Sequence, residues 1–172
     1  NKWGYNADVD VGTETVWSPG GTFVPMPSAD TLNLVSTSTA DDTGGTGAIS
    51  VIIYGVDENY LSQIEVISLD GTTPVTTLNQ WFGVNRISVY LAGTSGENVG
   101  VVTATVTTGG AVQAEIPLAK GSTQHAFFFV QAGHTALIDW LYINIIKTAG
   151  GQSPEVIVDG WVTSLVSGSK YD

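Results

Sequence analysis

The chain of 172 residues carries 16 acidic against 5 basic side chains, a formal net charge of −11, yet only 12% of its residues are charged and 42% are hydrophobic. That length suits one domain, or one domain with an arm, and the apolar content excludes a disordered acidic tail. Lys2, Arg86, Lys120, Lys147 and Lys170 are scattered singly. This argues against nucleic acid and anionic membranes as partners, because both are recognised through clustered cations.

Other classes fall away as quickly. The absence of cysteine removes disulfides, thiolate chemistry and Cys-based metal centres. No apolar run approaches the roughly 18 residues that span a bilayer. Asn1-Lys2-Trp3 is neither a Met start nor a charged region followed by the apolar stretch of a secretory signal, so a processed or trimmed chain is expected.

Residues 1–30 differ in character from the rest. Pro19, Pro25 and Pro27 surround Gly20-Gly21, and Trp3, Tyr5, Trp17 and Phe23 recur without period. The expectation is an extended N-terminal arm. Its aromatics either tuck into the chain's own groove or lie on a neighbouring subunit, since Trp and Tyr bury much area at low entropic cost.

From Thr31 the pattern is that of strands. Segments 31–37, 48–54, 61–69, 78–91, 99–107, 111–118, 124–130, 135–147 and 155–166 are β-branched, aromatic or alternating. Asp70-Gly71-Thr-Thr-Pro74, Gly93-Thr-Ser-Gly96 and Gly109-Gly110 separate them with turn chemistry. Nine strands at this spacing predict an all-β domain over 31–172, a jelly-roll-like antiparallel β-sandwich behind the arm of 1–30. No stretch has helical period.

Candidates for chemistry are few. His125 and His134 lack the companions of a metal site, and no Gly-X-Ser-X-Gly elbow is present. Asp8/Asp10, Asp41/Asp42 and Asp57/Glu58 are paired by sequence, but turn positions explain such residues. Loops around Asp41-Asp42 and Asp57-Glu58-Asn59 offer oxygen ligands of the kind calcium takes, without an ordered spacing. No catalytic residue, metal or cofactor is therefore expected. Trp81-Phe82, Trp140, Tyr142 and Trp161 are candidates for a glycan platform or a subunit interface, with Trp140 and Tyr142 on one strand face.

Several linked segments resemble a group of virion structural proteins of tailed bacteriophages, marine and cyanobacterial ones especially. They are Tyr5-Asn-Ala-Asp-Val-Asp-Val-Gly-Thr-Glu-Thr-Val-Trp17-Ser-Pro-Gly-Gly21, Gly45-Thr-Gly-Ala48 with Tyr54-Gly-Val-Asp57, Leu69-Asp-Gly-Thr-Thr-Pro-Val-Thr76 with Val84-Asn85-Arg86, Gly93-Thr-Ser-Gly-Glu-Asn-Val-Gly100, and Val130-Gln-Ala-Gly-His-Thr-Ala136. In the last, Gln131 stands where the group usually has Pro. The resemblance covers most of residues 5–138 and implies a non-enzymatic role on the particle. The implied function is a capsid decoration or cement protein on the virion exterior, bound to the major capsid protein or other virion proteins. The alternative is a neck, tail or fibre-associated protein that attaches to host glycans. A homotrimer fits the local symmetry of a capsid, with the arm residues Trp3, Tyr5, Trp17 and Phe23 as interface. The shared glycines read as determinants of shape.

Overall fold

The computed structural model describes residues 2–7, 9, 12–139 and 141–144, together with the backbone of 162–163 and 170–171. It is all-β, with strands β1 (Leu32–Ser36), β2 (Ala48–Val56), β3 (Ser62–Ser68), β4 (Val75–Thr76), β5 (Gly83–Ala92), β6 (Val102–Val106), β7 (Val112–Ile116), β8 (Val162–Thr163) and β9 (Lys170–Tyr171). Two compact units divide the chain at Ala136/Leu137. In the first, an antiparallel sheet of order β4-β1-β6-β7 packs on one of order β3-β2-β5. In the second, β8 pairs antiparallel with β9.

Side-chain period explains the packing. β1 and β6 alternate strictly, so Leu32, Leu34, Val102, Ala104 and Val106 point inward while Asn33, Thr103 and Thr105 point out. β2 is the central strand of its sheet and contributes Ala48, Val51 and Ile53 to the core. Leu69, Trp81, Val84, Ile87, Ala114 and Ile116 complete that core. Trp81 is wholly buried, which makes it a packing residue and not a sugar platform.

The connections follow the turn chemistry in the sequence. Gly109 and Gly110 both take positive φ in the β6–β7 turn, where a Cβ would be strained. Asp70-Gly71-Thr-Thr-Pro74 turns the chain into β4, which pairs with β1.

Three sequence expectations need correction. Residues 78–82 are not strand; β5 begins at Gly83. Residues 124–130 form an extended segment that bridges only at His125, against Trp17. Its backbone is engaged elsewhere: Gln124 O accepts from Ser18 N, Ala126 N donates to Val16 O, and the Asn85 side chain holds Phe129. Within 135–147, residues 135–139 and 141–144 carry no strand. Of 155–166, only Val162–Thr163 lies among the described residues, as β8. Among the described residues of the first unit, the result is an antiparallel β-sandwich of four strands on three.

Candidate functional site

The acidic residues resolve first. Asp41 lies in the β1–β2 loop and is fully buried. Its Oδ2 accepts from Ser36 Oγ at 2.6 Å and Gly100 N at 2.8 Å; its Oδ1 accepts from Ala48 N at 2.7 Å and Val99 N at 3.0 Å. Four donors from β1, β2 and the β5–β6 loop saturate this carboxylate. A Cβ on Gly47 would meet Asp41 Oδ1, one on Gly93 would meet the backbone of Gly45, and one on Gly100 would meet Ser36 Oγ. These glycines, several of which carry the resemblance, let two loops close on one carboxylate.

Two more of the candidate acids are also occupied. Asp57 Oδ1 accepts from Asn59 N and Leu61 N, both at 2.8 Å, as an Asx turn does. Asp42 Oδ1 accepts from Thr43. Glu58 is exposed, and Asp8 and Asp10 lie outside the described residues. Among the described residues, no three His, Asp or Glu side chains come together as a metal would need.

The arm aromatics divide into two pairs. Trp17 is buried and its Nε1 donates to Gly20 O and Gly21 O, at 2.8 and 3.1 Å. Phe23 stacks on Phe127 at 3.9 Å between centroids, and Trp17 meets Phe23 edge-on at 5.3 Å. This pair therefore packs against its own chain. Trp3 and Tyr5, by contrast, are 62% and 47% exposed.

Residues 14–26 lie along β7. Gln113 Nε2 donates to Val24 O, and burial pushes the Glu115 carboxyl up, opposed by a hydrogen bond from Ser18. Met26 reaches the core.

His125 sits beneath this arm. Its ring is parallel to Phe127 at 4.2 Å, so Phe127 is sandwiched between His125 and Phe23. His125 Nε2 lies 3.0 Å from Asn85 O, which requires a proton on Nε2. Burial, then the nearby Lys2 charge, lowers its pKa to about 3. A neutral ring of this kind is structural. His134 is exposed, with Nδ1 at 3.1 Å from Ala132 O.

Asn85 organises the region. Its Nδ2 donates to Phe129 O at 2.9 Å and its Oδ1 accepts from Phe129 N at 2.7 Å. A Cβ on Gly83 would strike the Phe129 ring. Thus Val84-Asn85-Arg86 on β5 anchors the segment that holds the arm.

The remaining candidate is a surface. Register places Val66, Ile52 and Ser88 in one row across β3, β2 and β5, and Ile64, Tyr54 and Arg86 in the next. Ile64, Val66 and Tyr54 are exposed. This outer face is apolar on β3 and β2 and ends in Ser88 and Arg86 on β5, and among the described residues β3 pairs only with β2. Sequence reasoning missed this face, although the alternation Ile64-Glu-Val66 signals one apolar side. Of the second aromatic group, Tyr142 is exposed, whereas Trp140 and Trp161 lie outside the described residues.

In comparisons with protein-family models, curated proteins and solved structures, the chain matches none.

Proposed function

We propose that the chain is a structural protein of a tailed-phage particle, a homotrimeric decoration or cement protein on the capsid exterior. Its partners in this reading are the major capsid protein or other virion proteins, and jelly-roll topology belongs to the same proposal. The observation that supports it most is the apolar outer face of β3-β2-β5, carrying Ile64, Val66, Ile52 and Tyr54. Contiguous apolar faces on soluble proteins mark sites of association.

The size of the face suits a multivalent contact. Three strands about 4.8 Å apart and about seven residues long span roughly 300 Å². A stable interface needs about 800 Å² a side, so one such face requires company. A closed ring multiplies small contacts, and exposed Trp3 and Tyr5 add apolar area. The net charge of −11 opposes a position beside packaged nucleic acid. Asp41 and Asp57 are committed to backbone N–H groups, which favours scaffolding over hydrolysis.

Co-sedimentation of the purified chain with undecorated particles tests the reading, alongside its mass by light scattering. The expected result is saturable binding of a trimer, lost in an Ile64→Asp/Val66→Asp variant. No binding, or binding unchanged in that variant, overturns it. Exposed Tyr142 is the described member of the aromatic group that the host-glycan alternative invokes, and a glycan array with Tyr142→Ala as control addresses it.

A further inference from the structure

Two of the chain's five cations meet in one cavity. It measures about 300 Å³ and is lined by Lys2, Trp3, Arg86, Ser122 and Thr123. Among the described residues no carboxylate lines it, in a chain with 16 acidic residues. Elsewhere Asp30, Asp41, Asp57 and Glu65 are engaged by backbone N–H groups. The two cations are thus held together without a counter-charge among the lining residues.

That arrangement is costly unless something offsets it. Desolvation and then the Arg86 charge lower the pKa of Lys2 to about 7, although much of the Lys2 side chain meets solvent. Like charges in proximity destabilise each other's ionised form, and a bound anion relieves both.

Four of the five lining residues are held before any ligand arrives. Lys2 Nζ donates to Asn85 O, and the Asn85 side chain is locked to the Phe129 backbone. Arg86 stands on β5, paired with Tyr54 of β2. Ser122 bridges Ser88, and Thr123 donates its N–H to Ile87 O while its Oγ1 accepts from Ile87 N. Preorganisation of this kind reduces the entropic cost of binding.

We propose that this cavity binds a carboxylate-bearing monosaccharide unit, with the carboxylate on Arg86 and Lys2 and one sugar face on the Trp3 ring. A guanidinium presents two parallel donors that match a carboxylate. The exposed indole of Trp3 supplies the flat apolar surface that a pyranose ring covers, and Ser122 supplies a hydroxyl for the ring's own hydroxyls. The volume lies at the small end of small-molecule sites, suited to one ring.

Whole-chain electrostatics favours this ligand over an acidic protein. A partner with many carboxylates meets the repulsion of a −11 chain, whereas a sugar acid presents a single charge to two local cations. An acidic side chain from a protein also leaves Trp3 uncovered. The site borders the apolar face, with Arg86 at the end of the Ile64-Tyr54 row, but neither Ile64 nor Val66 lines it, so the Ile64→Asp/Val66→Asp variant breaks the particle reading alone and Arg86→Gln tests this one.

Titration of the full chain with glucuronate, followed by amide NMR shifts, tests the assignment. Glucose, acetate and a hexaglutamate peptide serve as comparison ligands. Expected are saturating shifts around Arg86, Ser122 and Thr123, with affinity about tenfold weaker for glucose, for acetate, and in Arg86→Gln and Trp3→Ala, as loss of one good polar or aromatic contact gives. Both substituted side chains are exposed, and unchanged melting temperatures confirm intact folding. Absent shifts with glucuronate, equal affinity for acetate, unchanged affinity in both variants, or tighter binding of hexaglutamate would each overturn the proposal.

Discussion

The two sheets bury one face each in a shared core, yet their outer faces follow opposite rules. Across the four-stranded sheet, the row Thr76, Asn33, Thr105 is polar and internally bonded: Thr76 Oγ1 donates to Asn33 Oδ1 at 2.6 Å. Across the three-stranded sheet, the matching rows are Val66-Ile52-Ser88 and Ile64-Tyr54-Arg86. Alternation in the first sheet follows the usual contract of an antiparallel sheet with one solvated side. The second sheet breaks it only outward, since its inward residues Val51, Ile53 and Ile87 are as buried as their counterparts. Folding needs the inward pattern alone, so the outward difference reflects what each face meets after folding.

The strongest way to break this comparison is to uncouple the sheets. Asp41 links Ser36 of β1 to Ala48 of β2 and to Val99 and Gly100. Asp41→Ala leaves a buried hydroxyl and three N–H groups without their acceptor. The expected loss is about 3–5 kcal/mol, measured by urea denaturation, with both sheets losing protection in hydrogen exchange. Asp41→Asn keeps shape and part of the acceptor capacity, so it should lose less. If Asp41→Ala unfolds only one sheet, the two are not coupled through this carboxylate.

A second break comes from pH, acting on the arm beside β5. His125 binds a proton only near pH 3 when folded, against about 6.5 when unfolded. Between those values the unfolded chain holds more protons, so stability is full above about pH 6.5 and falls as pH drops toward 3. By pH 4 the expected loss is about 3 kcal/mol. The charges acting on this ring include Lys2, which adds repulsion once both are protonated. Urea midpoints at pH 7 and pH 4, with Trp17 fluorescence reporting arm release, measure the effect. His125→Phe keeps a ring against Phe127 and removes the titration, so its stability should vary less with pH over this range. An equal pH slope in that variant would show that other groups carry the acid sensitivity.

These two centres also show where sequence is legible and where it is not. β1, β2, β3, β6 and β7 follow from period-two alternation and β-branched content, because strand faces depend on neighbours two residues away. Asp41 carries the opposite message in sequence. Within Thr-Ala-Asp-Asp-Thr-Gly-Gly it looks like a solvated turn, and only contacts to Val99 and Gly100, 58 and 59 residues distant, make it a buried knot. Residues 124–130 mislead for the same reason. Their Phe-rich content suits a strand, but Asn85 and the arm claim their backbone groups. Lys2 and Arg86 look isolated along the chain and line one cavity in space. Trp3, Tyr5, Trp17 and Phe23 are equivalent by composition, and the positive-φ Gly20-Gly21 turn beneath the Trp17 indole together with the stack of Phe23 on Phe127 separates the packed pair from the exposed one.

The smallest effect on stability is expected where the effect on association is largest. Ile64 and Val66 are 56% and 49% exposed, so most of their apolar surface is already in water. Ile64→Thr/Val66→Thr keeps β-branching and strand preference and should change monomer stability by no more than about 0.5 kcal/mol. If the outer face exists to be covered, the same variant lowers self-association or particle binding well beyond that small change. Thr103→Val/Thr105→Val, added to Ile64→Thr/Val66→Thr, sharpens the comparison from the other side. It gives the four-stranded sheet an apolar exterior at similar shape, and if apolar character alone drives assembly, this variant associates through the wrong face. If it stays monomeric while the native chain assembles, register and the exposed Trp3 and Tyr5 contribute specificity that hydrophobic area does not. Light scattering across a concentration series measures these outcomes. Equal assembly by all three proteins would mean that neither outer face is the contact, and that the difference between the sheets has another cause.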